Sequence, residues 1–478
     1  MPEKESILTY FFEGPASFSS MTAQAFLHFG FRHAPETEAQ WRFQAVPADG
    51  GWTAALLRNG RPAAGPAFCR TRREAAHFLM DALAAAVNRP LGRWGYLLGM
   101  RPTKALYPFL CGGGEGAARQ FLQEERTAPE TAALLLDAFR AEKQLGPSRM
   151  DSAAFYVHIP FCPSHCAYCS FPSAVTKGGE ELDGFVEALC EDIRRAGALI
   201  RRKALTVESV YFGGGTPTVL TEAQMERVLR AVRRWVPLSG LREWTVEAGR
   251  PDTVTPAMLA LLRSYGVDRL SVNPQTMQDR ILSLISRTHG GADVLRAFGD
   301  ARRAGFPTVN MDFICGLPGQ TAEDMEENLR VICQLRPENV TIHTLAVKRG
   351  SPFYQREAQW HLPSEMEVEA MLQLTEERLC AAGYRPYYLY RQKYMTDDFA
   401  NVGYTLDGHA SAYNIRMIGE HQHIVGAGAG AASKAVLPGG FRLRKLYMPK
   451  QSVLYRERLD ALCGARDRLW DFLPDGGI

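Results

Sequence analysis

No stretch of the 478 residues runs eighteen or so apolar side chains without interruption, so no membrane-spanning helix is expected. Charge of one sign is equally scarce: 55 Lys and Arg stand against 52 Asp and Glu, a formal net charge of +3, and no long block of like charges occurs. Composition therefore gives no footing for nucleic acid or an anionic membrane as a partner, and neither is expected. The opening residues, Met1-Pro2-Glu3-Lys4-Glu5-Ser6, lack the basic-then-apolar order of a secretory leader, and a cytoplasmic protein is the expectation. Seven of the ten cysteines (69, 111, 190, 315, 333, 380 and 463) lie singly in apolar or helical stretches, which points away from a disulfide framework and toward a reducing compartment. Gly112-Gly113-Gly114 lacks the Lys-Ser/Thr that a phosphate loop needs and reads as a helix terminator.

What is there is an ordinary globular composition, 46% hydrophobic, in a chain long enough for two or three domains. Residues 1–150 read as a small N-terminal α/β domain, with strands over 7–12, 41–46 and 52–58 and helices over 72–87 and 131–144. Within it, Arg101 and Lys104 in Arg101-Pro102-Thr103-Lys104 are either helix-capping, solvated groups or holders of an anion. Residues 146–152 form a linker. From 151 to 350 six strand-like runs (155–159, 209–212, 243–247, 269–272, 308–314 and 339–344) alternate with helical ones (180–195, 222–235, 256–265, 292–304 and 322–335). Such repetition implies parallel strands with right-handed crossovers, a partial (β/α)6 barrel in an α/β fold. Residues 351–478 form a C-terminal extension expected to cover a substrate. It holds a helix over 365–382, an aromatic stretch from Tyr384 to Tyr390, a Gly/Ala-rich run over 425–433 and a closing helix over 449–470.

In barrels of this kind the chemistry sits where strands end and loops lead into helices. Each conspicuous motif falls at such a place: Cys162, Cys166 and Cys169 after the first strand, Gly213-Gly214-Gly215-Thr216-Pro217-Thr218 after the second, Glu247 at the end of the third, Asn273-Pro274-Gln275 after the fourth, and Asp312 with Cys315 to Gly319 at the fifth. The C-x3-C-x2-C spacing suits structural zinc poorly, since that ion takes four ligands and usually shows paired C-x2-C arms. Three soft thiolates in one short loop suit an iron–sulfur cluster with one iron left open. The glycines let backbone groups approach a ligand, or simply make a tight turn.

With Tyr168 before the last cysteine, a strand before the loop and the glycine-rich run after the next strand, the sequence resembles the radical S-adenosylmethionine superfamily. Tyr156-Val157-His158-Ile159-Pro160-Phe161-Cys162, the Gly213–Thr218 run, Val246-Glu247, Gln275, Ser286-Arg287-Thr288 and Asn310 to Gln320 narrow the likeness to the oxygen-independent coproporphyrinogen III oxidase group. Tyr390-Arg391-Gln392-Lys393, Asn401 to Tyr404, Tyr413 to Ile418, Val425 to Gly430 and Arg101 to Lys104 resemble the N-terminally extended coproporphyrinogen dehydrogenase branch.

The resemblance implies a 4Fe-4S cluster on Cys162, Cys166 and Cys169. It implies a first S-adenosylmethionine contacted by Tyr156, Gly214, Glu247, Gln275, Arg287, Asp312 and Ala346, and positions for a second at Tyr168, Gly215 and Thr216. The implied reaction is oxidative decarboxylation of a tetrapyrrole, with reduced flavodoxin or ferredoxin as electron donor. Arg391, Lys393, Arg416 or Lys348 with Arg349 are candidates to meet substrate carboxylates. Radical methylation, haem-ring opening and haem chaperoning are the other readings. The best-known oxidases carry a fourth cysteine where this chain has Phe171, and related haem chaperones carry His-Asn-x-x-Tyr-Trp where it has Tyr413 to Ile418.

Overall fold

The computed structural model describes residues 8–171, 173–176, 178–348, 350–355, 360–392, 399–439 and 442–476. The chain forms two compact units, one of residues 1–102 with 112–136 and one of 103–111 with 137–478. In the first, strands Thr9–Glu13, Arg32–His33, Trp41–Ala48, Gly51–Arg58 and Arg61–Cys69 make one sheet, with Thr9–Glu13 between Arg32–His33 and Trp41–Ala48. Helices Ala16–His28 and Arg72–Ala86 bring Phe18, Phe26, Leu79 and Leu83 into a core with Phe43 and Leu56. Two of these elements carry weak sequence signals. Ala16–His28 is rich in Ser and Thr, and Arg61–Cys69 holds two prolines, which an edge strand tolerates because its N–H groups need no ladder partner.

The second unit is built on β1 (Ser152–Ile159), β2 (Thr206–Gly214), β3 (Glu243–Glu247), β4 (Arg269–Ser271), β5 (Thr308–Cys315) and β6 (Asn339–Thr344). These six are parallel and adjacent in chain order, as expected for the six-unit barrel. The helices between them start at defined places. Thr221 with Gln224 and Thr321 with Asp324 make reciprocal capping boxes, each satisfying two backbone N–H groups that a helix leaves open.

The chain beyond 350 enlarges this sheet at both edges. Its strands are β7 (Arg385–Tyr390), β8 (Asn401–Thr405), β9 (His423–Ala427), β10 (Ala432–Val436) and β11 (Leu443–Tyr447), and the full order is β7-β8-β6-β5-β4-β3-β2-β1-β9-β10-β11. β8 runs antiparallel to β6, whereas β9 runs parallel to β1 and gives the sheet a seventh parallel strand. The Gly/Ala-rich run therefore contributes strands rather than a loop alone. Its glycines have a packing reason: at Gly428, where φ is +105°, a Cβ would collide with the His158 carbonyl oxygen. The closing segment is two short helices, Ser452–Glu457 and Leu459–Asp467. It is tied to helix Glu180–Arg202 by a fully buried pair, Arg466 with Asp192, to which Tyr455 and the Gly428 amide also donate.

Helix Ala412–Gly419 seals the amino ends of the strands. Its first residues converge on Glu243, the first residue of β3: Ser411 Oγ donates at 3.0 Å, the Ala412 amide at 2.9 Å and the Tyr413 amide at 2.7 Å. A carboxylate at a helix amino end is favoured by the exposed N–H groups and by the dipole together. Among the described residues, no helix is long and apolar enough to cross a membrane.

Candidate functional site

The cysteine loop leaves β1 through Pro160 and is pinned at both ends. Phe161–Cys162 pairs with Ala174–Val175, the Ala167 amide donates to Ile285 O at 3.0 Å, and Ala167 packs among Ile281, Leu282 and Ile285. All ten cysteines are free thiols. The three in the loop each meet a hydrogen-bond donor: Thr216 Oγ1 lies 3.5 Å from Cys162 Sγ, Arg250 Nη1 lies 3.7 Å from Cys166 Sγ, and the Phe171 amide faces Cys169. Burial pushes the Cys169 thiol up to about 11, so a nearby positive charge, such as iron, is needed to hold it as thiolate. Among the described residues no three His, Cys, Asp or Glu groups converge on a single-ion position. A cubane does not ask for that, because each thiolate takes a different iron. Free thiols ringed by donors, one of them a guanidinium, fit an anionic cluster better than a set of core cysteines.

The glycine-rich loop comes down on this trio. A Cβ at Gly215 would run into Phe161 O and sit 2.9 Å from Cys162 Sγ, and one at Gly214, where φ is +113°, would lie 2.9 Å from both His158 Nε2 and Ile159 O. Beside it, Glu247 accepts from Tyr211 Oη at 2.6 Å. Tyr211 stacks on Tyr413 at 4.3 Å between ring centroids, and Tyr413 lies against Tyr156 at 6.3 Å. Burial raises the Glu247 carboxyl to about 7, the Tyr211 hydrogen bond pulls it back and the charge of Asp312 adds to the rise.

Asp312 sits on β5 in a different balance. Burial pushes it up, but the hydrogen bond and charge of His343, with Asn310 and Thr341, hold it below its ordinary value. Asn310 Nδ2 donates to it at 2.8 Å and His343 Nε2 lies 3.8 Å away. Gln275, at φ +70°, is locked to β5 by its amide, which donates to Asp312 O at 2.9 Å. Arg287 is buried, with Nη1 donating to Gly249 O and Asn273 O at 3.0 Å each and Nη2 to Tyr168 Oη at 2.9 Å, while its Nε has no partner. Ala346 lies just past the end of β6, half-buried. Tyr156, Tyr168, Gly214, Gly215, Thr216, Glu247, Gln275, Arg287 and Asp312 thus line one end of the barrel through shared contacts.

The substrate-facing candidates separate. Lys348 faces Cys169, and burial lowers its ammonium. Arg416 belongs elsewhere: it is buried with Glu208, Glu142 and Tyr107 as its charged and polar neighbours, toward the amino ends of the strands, which removes it as a partner for substrate at the cofactor loops. Lys104 pairs with Glu420 at 3.2 Å, beside Lys445 at 3.0 Å, so it serves neither as cap nor as a lone anion holder. Lys393 and Arg349 lie outside the described residues.

Three side chains in the site escaped the sequence reading. Arg250 was hidden in the unremarkable Gly249-Arg250-Pro251, although its position three residues past the end of β3 was a signal. His343 is the next-to-last residue of β6, and Tyr390 Oη lies 3.5 Å from its Nδ1. Tyr413 stands in a segment that the resemblance picks out, but its place against Tyr211 and Tyr156 depends on contacts far apart in the chain.

A model of the Radical SAM superfamily matches residues 156–332. The chain is 35% identical over 376 residues to the oxygen-independent coproporphyrinogen-III oxidase-like protein HemZ of Bacillus subtilis, covering 77% of this chain and 75% of that one. It is 30% identical over 279 residues to the heme chaperone HemW of the same organism, covering 58% and 69%. Its fold is similar to that of coproporphyrinogen III oxidase (HemN) from Escherichia coli, with a TM-score of 0.53 and 23% identity over 70% of this chain and 73% of that one. The chain belongs to the radical SAM superfamily, in the family of the oxygen-independent coproporphyrinogen-III oxidase-like proteins, whose cofactors are a 4Fe-4S cluster and S-adenosylmethionine.

Proposed function

We propose that this chain oxidatively decarboxylates two propionate side chains of coproporphyrinogen III to vinyl groups, giving protoporphyrinogen IX. The observation that carries the reading is the 35% identity to an oxidase-like relative over 376 residues, which runs well past the barrel into both flanking regions. Cys162, Cys166 and Cys169 hold the cluster. When bound, the cluster and S-adenosylmethionine would supply radical chemistry able to remove a hydrogen from each propionate, with one electron entering from reduced flavodoxin or ferredoxin and, as each carboxyl leaves as carbon dioxide, one electron passing to an external one-electron acceptor.

The chain's own residues bind, orient and exclude water. The Gly213 to Gly215 backbone leaves room for the methionine moiety, Glu247 and Asp312 accept hydrogen bonds from ammonium and ribose hydroxyls, and Gln275, Arg287, Tyr156 and Ala346 complete the wall. Asp312 is poised to do this as an anion, whereas Glu247 must give up a proton first. The stacked Tyr211 and Tyr413 and the sealed amino ends beneath them keep solvent out from below. Lys348 and Arg391 meet the propionate carboxylates. Tyr168, Gly215 and Thr216 receive a second S-adenosylmethionine.

A haem-chaperone reading is favoured by the relatives of that name. Against it, the segment that matches their His-Asn-x-x-Tyr-Trp motif begins with Tyr413, buried against Tyr211. Anaerobic incubation with coproporphyrinogen III, S-adenosylmethionine and a reductant, followed by mass analysis, tests the assignment. Loss of two carbon dioxide units and formation of vinyl groups supports it. A methylated product with S-adenosylhomocysteine, an opened ring, or stoichiometric haem binding without turnover overturns it.

A further inference from the structure

Arg250 is 3% exposed and holds more partners than any role given to it above requires. Its Nε and Nη2 grip the two carboxylate oxygens of Asp252 at 3.1 and 3.0 Å, and Nη2 also donates to Thr288 Oγ1 at 2.8 Å. That fork fixes the guanidinium plane and leaves Nη1 facing the cysteine loop, where it donates to Ser164 Oγ at 2.9 Å and to Cys166 Sγ at 3.7 Å. The three thiols are therefore served unequally. Cys162 has a neutral hydroxyl and Cys169 a backbone amide, while Cys166, 8% exposed, has a cationic donor in a site of low dielectric.

We propose that Arg250 sets the reduction potential of the cluster by donating a charge-assisted hydrogen bond to the Cys166 sulfur. A donor to a ligating thiolate withdraws electron density and stabilises the more negative, reduced cluster, so it makes reduction easier. Asp252 both orients the guanidinium and offsets part of its charge. Removing the arginine and removing the aspartate's charge should then move the potential in opposite directions, which a simple clamp on the loop would not do. The inference rests on the three cysteines being the cluster ligands and is independent of the substrate.

The test is an anaerobic redox titration of the reconstituted full-length chain, poised with dithionite and mediators and read by electron paramagnetic resonance, without S-adenosylmethionine or substrate. One electron passes from dithionite to the cluster, and no bond is made or broken. Arg250→Gln is expected to lower the ratio of reduced to oxidised cluster at fixed potential about tenfold, equivalent to about 59 mV more negative for one electron. Asp252→Asn is expected to move the midpoint to more positive values. Should Arg250→Gln assemble no cluster, Arg250→Met, which also removes both charge and donor, carries the test beside Asp252→Asn, and its midpoint must fall below that of the wild type. Iron content and thermal midpoint are measured on every variant. Loaded variants whose midpoints stay at the wild-type value, or move in the same direction, overturn the role of Arg250. A wild-type chain that takes up no iron overturns the ligand assignment and this inference with it.

Discussion

Glu243 and Glu247 open and close the same strand, four residues apart and on one face, yet they meet opposite surroundings. Glu243 receives a hydroxyl and two backbone amides from the helix beneath it, with Arg269 Nε 3.7 Å away. Glu247 has one tyrosine hydroxyl and the Gly214 amide of the glycine loop, the nearby charge of Asp312, and a carboxyl that burial raises to about 7. The first carboxylate is used up in closing the barrel. The second is held by fewer donors beside a like charge where the glycine loop and the cysteines meet, and that difference sets a closed structural end of the barrel apart from an end fit to receive a ligand.

The most severe break lies at the open end. Cys166→Ala should abolish both the brown colour of the anaerobically reconstituted protein and deoxyadenosine formation. An intact 4Fe-4S spectrum in that variant would remove the cysteine trio from the site. At the sealed end, Glu243→Ala should cost about 3 kcal/mol of stability, because it strands buried donors and a nearby arginine. Denaturant unfolding measures this, and the folded fraction should bind S-adenosylmethionine normally.

Glu247→Gln should behave in reverse, weakening S-adenosylmethionine binding about tenfold or more by calorimetry while iron content holds. It should also stabilise the ligand-free protein at pH 8. The folded-state pKa of Glu247 is raised, from 4.5 to about 7, so native protein binds more protons than unfolded chain across that interval and loses stability as pH rises through it. Removing the charge should recover on the order of 2 kcal/mol at pH 8.

A subtler reading of the same contrast comes from pH alone. Wild-type affinity for S-adenosylmethionine should rise about tenfold between pH 6 and pH 8 as Glu247 ionises. The slope should vanish in Glu247→Gln, since Asp312 is held below its ordinary value and stays ionised throughout. A wild-type profile that is flat over this range would mean that Glu247 does not face the ligand. The smallest effect is expected for Thr216→Val, which removes a neutral donor from Cys162 and should leave cluster loading intact with a minor spectral change.

The barrel was legible because each of its units is locally complete. Glu243–Glu247, Asn339–Thr344, Glu222–Trp235 and Ala322–Leu335 coincide with the sequence expectation to the residue, each a strand of buried β-formers or a capped amphipathic helix. The candidate cofactor residues were legible where a barrel strand and a motif coincide, as at Glu247 and Asp312. What escaped depends on contacts distant in sequence. Tyr413, whose segment the sequence reading noted as a motif, enters the site from a helix whose anchoring carboxylate lies 170 residues earlier, and that placement cannot be read from its neighbours. Arg250 is defined by Ser164 and Cys166 on the cysteine loop and by Thr288 on another. Strands β9 and β10 carry small residues where their backbones approach closely, a Cβ at Gly426 lying 2.5 Å from Ala432 O, so the usual β-branched signature is thinner there.

The seventh parallel strand also imposes an order on biosynthesis. β1 delivers the cysteine loop, but its outer edge is paired only by β9, with Ala153 set against His423 and Val157 against Ala427. During synthesis the three thiols leave the ribosome long before the strand that braces their base exists, and the edge of β1 stays open through that interval. Metal assembly machinery acting early would meet an unfinished scaffold. On this topology a cluster held by these thiols would have its completed β1 support only once residue 427 has emerged.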